Sequence, residues 1–130
     1  MSKKIYLAGP YSHDDEKVRI GRFEQLNKIA SVFMAEGYFV YSPISHTHPI
    51  AMAGSLPLGW DYWEKYDTAF IEWSDELHVA MIPGWMESKG VQAEIKIAEK
   101  LGKPVKFIEI DPCDFICTNP PYWECREFGE

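Results

Sequence analysis

Several familiar signatures are missing from this chain. No apolar run approaches the roughly 18 residues that a membrane helix needs. The few apolar residues after Met1-Ser2-Lys3-Lys4 end at Gly9-Pro10, too soon for a signal peptide, so the expectation is a soluble, cytoplasmic protein with no membrane partner. Basic residues are in the minority, 13 against 20 acidic, for a net charge of -7. That balance argues against a polymeric nucleic-acid partner, whose affinity comes largely from Lys and Arg on phosphates. A single nucleotide stays open, because a helix N-terminus can hold its phosphate with little basic help. Cysteine is scarce: Cys113, Cys117 and Cys125 all fall in the last 18 residues. An odd count is unsuited to a disulfide framework, and the spacings do not match paired zinc ligands, so no metal is expected. Dinucleotide-binding GxGxxG, the Walker P-loop and the GxSxG elbow are all absent.

What is present alternates strand with helix. KIYLA (4–8) reads as a first strand stopped by Gly9-Pro10. Val18, Leu26, Ile29, Ala30, Phe33 and Met34 recur at helical spacing between 14 and 36, with Asp14, Asp15 and Glu16 suited to the positive end and Gly37 to the stop. YFVYSP (38–43) predicts a second strand. Residues 44–59, with Pro49, Gly54, Pro57 and Gly59, read as a long loop of the kind that often carries function. Trp60, Trp63, Tyr66, Phe70 and Trp73 predict a helix over 60–73. ELHVAMI (76–82) predicts a third strand, Val91, Ile95, Ala98 and Leu101 a helix after Ser88, and VKFIEI (105–110) a fourth strand. The alternation implies an α/β fold, a flavodoxin/Rossmann-like three-layer sandwich on a parallel sheet of four to five strands. The domain is expected over 1–110. The tail, 111–130, would pack on it or on a neighbouring subunit.

Ligands in such folds bind beyond the carboxyl ends of the strands. Three segments should meet there: Gly9 to Ser12, the loop with His46 and His48, and Pro83 to Glu94. Ser88 opens a helix and suits either an anion site or a plain N-cap. Glu94, one turn in, reads either as a carboxylate facing the crevice or as part of a solvated face with Gln92, Lys96 and Glu99. Asp67 sits among aromatic residues, and Asp75 reads as a turn residue at the far edge. If their segment is extended, His46 and His48 share a side, from which they could meet base or phosphate, donate a proton, or merely bond the loop.

In their order, IYLAGPYS, YDTAFIEWSDELHVAMIPGW and SKGVQAEIKIAEKLGKPV resemble the nucleoside 2-deoxyribosyltransferase-like superfamily over about residues 4–108. This includes deoxyribosyltransferases and deoxynucleoside 5'-monophosphate N-glycosidases. The nearest pattern is a branch without assigned function, marked by the two-histidine loop and IPGW. The resemblance implies Glu94 as catalytic nucleophile, Tyr6 as its support, and Asp67 as a further catalytic group. It implies phosphate binding by Ser88, helped by Ser12, with no cofactor and a homodimer or larger homo-oligomer; Gly9, Pro10, His46, His48 and Gly90 join the expected substrate-binding set from their place beyond the strand ends. Where the transferases carry an aspartate for the 5'-hydroxyl, six residues before the glutamate, this chain has Ser88, as the monophosphate hydrolases do. A hydroxyl at a helix N-terminus welcomes phosphate where a carboxylate repels it. The expected activity is therefore N-glycosidic hydrolysis of a (deoxy)nucleoside 5'-monophosphate. The alternatives are deoxyribosyl transfer between bases and a nucleotide-binding module without turnover.

Overall fold

The computed structural model describes residues 3–57 and 59–109. Cys113, Cys117, Cys125 and the predicted tail lie outside the described residues. The elements are β1 (Lys4–Ala8), α1 (Glu16–Ala35), β2 (Phe39–Tyr41), α2 (Pro43–Gly54), α3 (Trp60–Trp73), β3 (Glu76–Ala80), α4 (Lys89–Lys100) and β4 (Val105–Ile108). The four strands form one parallel sheet in the order β2-β1-β3-β4, flanked by the four helices. This is the expected flavodoxin/Rossmann-like sandwich.

The central strands read as continuous apolar runs because both of their faces are covered. Successive side chains alternate between two cores. Tyr6 and Ala8 of β1 join Leu77 and Val79 of β3 on one face, packed by Ile71 of α3 and by Val91 and Ala98 of α4. Leu7 and Ala80 lie on the other, with Ile82 just after β3, packed by Leu26, Ile29 and Ala30 of α1. The helix ends follow local chemistry. The Asp15 carboxylate caps α1 by accepting from the Lys17 amide at 2.9 Å, and Gly37 just beyond its end takes φ 99°, a left-handed conformation open to glycine.

Most predicted elements stand with trimmed ends. The first helix begins at Glu16, and the second, third and fourth strands stop at Tyr41, Ala80 and Ile108. One expectation is overturned: much of the predicted 44–59 loop is α2. Pro43 opens that helix at a first-turn position, where the missing N–H would be unbonded in any case. Pro49 lies inside it, so its role is not that of a breaker.

At the amino ends of the strands, away from the crevice, Asp75 follows the end of α3 and its carboxylate accepts from the Lys4 amide at 2.9 Å. Beside it Glu76 is buried under the half-exposed Lys3 and Lys106 ammonium groups, 2.8 and 3.3 Å away, and His78 Nε2, 2.9 Å away. Burial alone would raise the Glu76 carboxyl, but these hydrogen bonds outweigh it and bring the pKa down to about 2. Among the described residues no helix is long and apolar enough to cross a membrane.

Candidate active site

From β1 the chain passes through α1 to β2 on one side of the sheet. It then crosses through α2 and α3 to β3 on the other. The direction of winding reverses between β1 and β3, and a crevice opens beyond their carboxyl ends. It holds a cavity of about 690 Å³. Gly9, Tyr11 and Ser12 line it from the end of β1, Thr47 and His48 from α2, Asp67 from α3, and Ser88, Gly90 and Glu94 from the start of α4.

The floor is acidic and buried. Glu94 is 5% exposed and Asp67 6%, so the solvated-face reading of Glu94 is excluded. Val91, Glu94 and Ala98 share the inward stripe of α4. Beneath them, wholly buried Tyr6 donates its hydroxyl to Glu94 Oε2 at 2.5 Å. This bond joins residues far apart in the chain and carries the one hydroxyl of the first strand. Burial pushes the Glu94 carboxyl well above the usual range, and the nearby Asp67 charge pushes it further, while the Tyr6 bond pulls it back. Burial raises Asp67 to about 7. Asp67 Oδ1 has no hydrogen-bond partner among the described residues. An ionised carboxylate without donors is costly in such a place, whereas one that accepts a hydrogen bond is favoured. Burial raises both carboxyls, so the pair retains a proton near neutrality; the Tyr6 hydrogen bond favours the ionised form of Glu94, which would leave that proton on Asp67. A buried carboxylate beside a carboxylic acid is a nucleophile and proton-donor pair.

The rim is mixed in charge, with Arg22 and Lys89 lining it alongside Asp61 and Glu87. Ser88 caps α4 by accepting from the Val91 amide at 3.2 Å. The N-cap reading is thus correct, yet the bond occupies only a lone pair and leaves the Ser88 O–H proton available to a ligand. The first amides of α4 point the same way, with the positive end of the helix dipole behind them. Arg22 adds a cation that the sequence reading passes over, because a charged residue on a long helix reads as solvated. Its guanidinium reaches the Ser12 carbonyl at 2.9 Å, the Tyr11 carbonyl at 3.5 Å and the Pro83 carbonyl at 3.4 Å. It thereby ties the loop after β1 to the loop after β3. Gly84 makes room for it: φ is 97° there, and an added Cβ would strike the guanidinium.

The other predicted residues separate. Gly9 lines the cavity, but its lack of a side chain serves packing, since a Cβ would lie 2.6 Å from Leu26 Cδ2. Gly90 is under no such constraint; a Cβ would stand 3.7 Å from the Trp60 ring. Pro10 is fully buried and lies outside the cavity lining. His46 and His48 do not share a side. Two residues apart on a helix they face nearly opposite ways, which corrects the extended-loop expectation. His48 lines the cavity beside Tyr11 and Phe23. His46 bonds the Tyr66 hydroxyl at 2.9 Å and lines a second, shallower cavity between α2 and α3. Trp60 and Trp63 also reach the main cavity, offering flat apolar surface. Among the described residues no group of three or more His, Cys, Asp or Glu is gathered as a metal site.

No curated protein matches this chain. Residues 3–110 match the model of a family described as a domain of unknown function, DUF1937, and the chain belongs to that family.

Proposed function

We propose that the protein is an N-glycosidase that releases the base from a (deoxy)nucleoside 5'-monophosphate. The observation that carries this reading is the buried Tyr6–Glu94 hydrogen bond beside Asp67, at the floor of a cavity whose rim is built for an anion. Glu94 attacks C1' of the sugar. The C1'–N bond breaks as the Glu94–C1' ester bond forms, and Asp67 gives its proton to the departing base. Water then attacks C1', Asp67 takes a proton from it, and the ester bond breaks to restore Glu94. Two carboxyl groups sharing one task in this way parallel a retaining glycosidase. Tyr6 supports the ionised form of Glu94 during both steps.

The phosphate is assigned to Ser12, Ser88, the opening amides of α4 and Arg22. Hydroxyl and amide donors at a helix N-terminus favour a dianion without a dense basic patch, in keeping with an acidic protein. The floor would repel that dianion, so substrate is oriented with its phosphate at the rim and C1' at Glu94. The cavity is large enough for a nucleotide.

The test is incubation with a panel of ribo- and deoxyribonucleoside 5'-monophosphates, with chromatography for free base. Wild type is expected to release base, and Glu94→Ala to release none while keeping its melting transition. Base release by Glu94→Ala at the wild-type rate would end the assignment. Adding a second free base to the same reaction distinguishes hydrolysis from transfer, since only transfer yields a new nucleoside.

A further inference from the structure

We propose that His48 donates a hydrogen bond from Nε2 to an oxygen of the substrate's phosphate, with its proton held on that nitrogen by the Tyr11 hydroxyl at Nδ1. This rests on the nucleotide reading above and assigns a residue of α2 to the phosphate subsite.

The Tyr11 hydroxyl is in hydrogen-bond contact with His48 Nδ1. Burial raises the Tyr11 phenol above its usual value, so it keeps its proton; in the proposal that proton is donated to Nδ1, the direction that the NMR test below decides. A neutral imidazole that accepts at Nδ1 carries its hydrogen on Nε2. Burial, helped by the Arg19 charge, also lowers His48 and favours that neutral form. The ring is held by a second contact, Phe23, whose centroid is 4.4 Å away. No bond from Nε2 to another described residue uses its proton, and the side chain borders the cavity.

The neighbours of the ring favour phosphate over base as its ligand. Its two anchors, Tyr11 and Phe23, are chain neighbours of Ser12 and Arg22, and Arg22 bonds the carbonyls of both Tyr11 and Ser12. His48 is thereby tied to the rim. His46 cannot substitute, because it is engaged with Tyr66 on the other side of α2.

Two measurements test this. Nitrogen-15 NMR of the His48 ring should show an unprotonated Nδ1 and a protonated Nε2 in the free wild-type protein, and Tyr11→Phe should mix the tautomers. A protonated Nδ1 in wild type with a bare Nε2 overturns the proposal. Calorimetry then compares deoxynucleoside 5'-monophosphates with their 5'-hydroxyl nucleosides, on a Glu94→Gln background to prevent turnover. His48→Ala should weaken monophosphate binding by roughly tenfold to a hundredfold, the range for a hydrogen bond to a charged group, with nucleoside binding little changed. His48→Gln, which restores a donor, should recover most of the loss. Equal weakening toward both ligands overturns the proposal. A His48-dependent preference for monophosphate without base release by wild type would leave this inference standing and remove the glycosidase. Base release with a preference that His48→Ala does not alter would do the reverse. If wild type binds no nucleotide, both fall.

Discussion

Replacing Asp67 with asparagine should make the protein more stable and less active, and the gain should grow with pH. Asp67 is almost completely buried, its Oδ1 lacks a donor among the described residues, and burial lifts its pKa from 3.8 to about 7. Between those two values the folded protein holds a proton that the unfolded chain has released. Folded stability therefore falls as pH rises through this window and levels off above about 7. A shift of about three units corresponds to roughly 4 kcal/mol when fully expressed. Asparagine has nearly the same shape and does not titrate, so it escapes the penalty. Between about pH 5.5 and about pH 8.5 the stability gap between Asp67→Asn and wild type should widen by roughly 2 kcal/mol. Neutralising Asp67 also removes a charge that opposes ionisation of Glu94, which acts in the same direction. Urea unfolding of the two proteins at several pH values measures the gap directly. Base release by Asp67→Asn should drop by roughly a hundredfold or more, as for loss of a general acid. A gap that stays constant with pH, or that narrows, would refute the argument from burial and with it the assignment of the proton to Asp67.

Three further outcomes can be checked independently. Tyr6→Phe leaves Glu94 buried without its donor, so base release should fall roughly tenfold to a hundredfold and the acid limb of the pH–rate profile, which reports Glu94 ionisation, should move to higher pH. Gly84→Ala places a Cβ against the Arg22 guanidinium at a positive φ; thermal unfolding should register a loss of roughly 1–2 kcal/mol, with KM rising more for a monophosphate than for its nucleoside. At the far end of the sheet, Glu76 is depressed from 4.5 to about 2, so wild type should lose stability as pH falls through that window. Glu76→Gln should lose less over the same range, without a change in base release near neutrality.

The alternation of elements was legible because β1 and β3 are covered on both faces and α3 and α4 present regular apolar stripes. Glu94 was legible in part: its spacing from Val91 and Ala98 places it on the inward stripe, but only the packed fold decides against the solvated face. The helix α2 was obscured by its own punctuation. Pro43, Pro49 and Gly54 read as loop signals, yet Ile44, Thr47, His48 and Ala51 recur at the i, i+3, i+4, i+7 spacing of a helix face, and these four line the cavity. Weighing that spacing against the prolines would have found the helix and separated the two histidines. Arg22 left no local trace. Its meaning depends on Gly84 and on carbonyls from two distant loops, and no periodicity within α1 reports a contact with the end of β3.

The Arg22 bridge also bears on how this protein can change. The lips of the crevice are the loops that follow β1 and β3, two neighbouring strands held in register by the sheet. The Arg22 side chain adds a fixed link between the loops beyond those strands, working as a gauge block rather than a lid. An insertion in the segment between β1 and α1, or a change in the turn after β3, would put both lips out of gauge together and move Ser12 relative to Ser88.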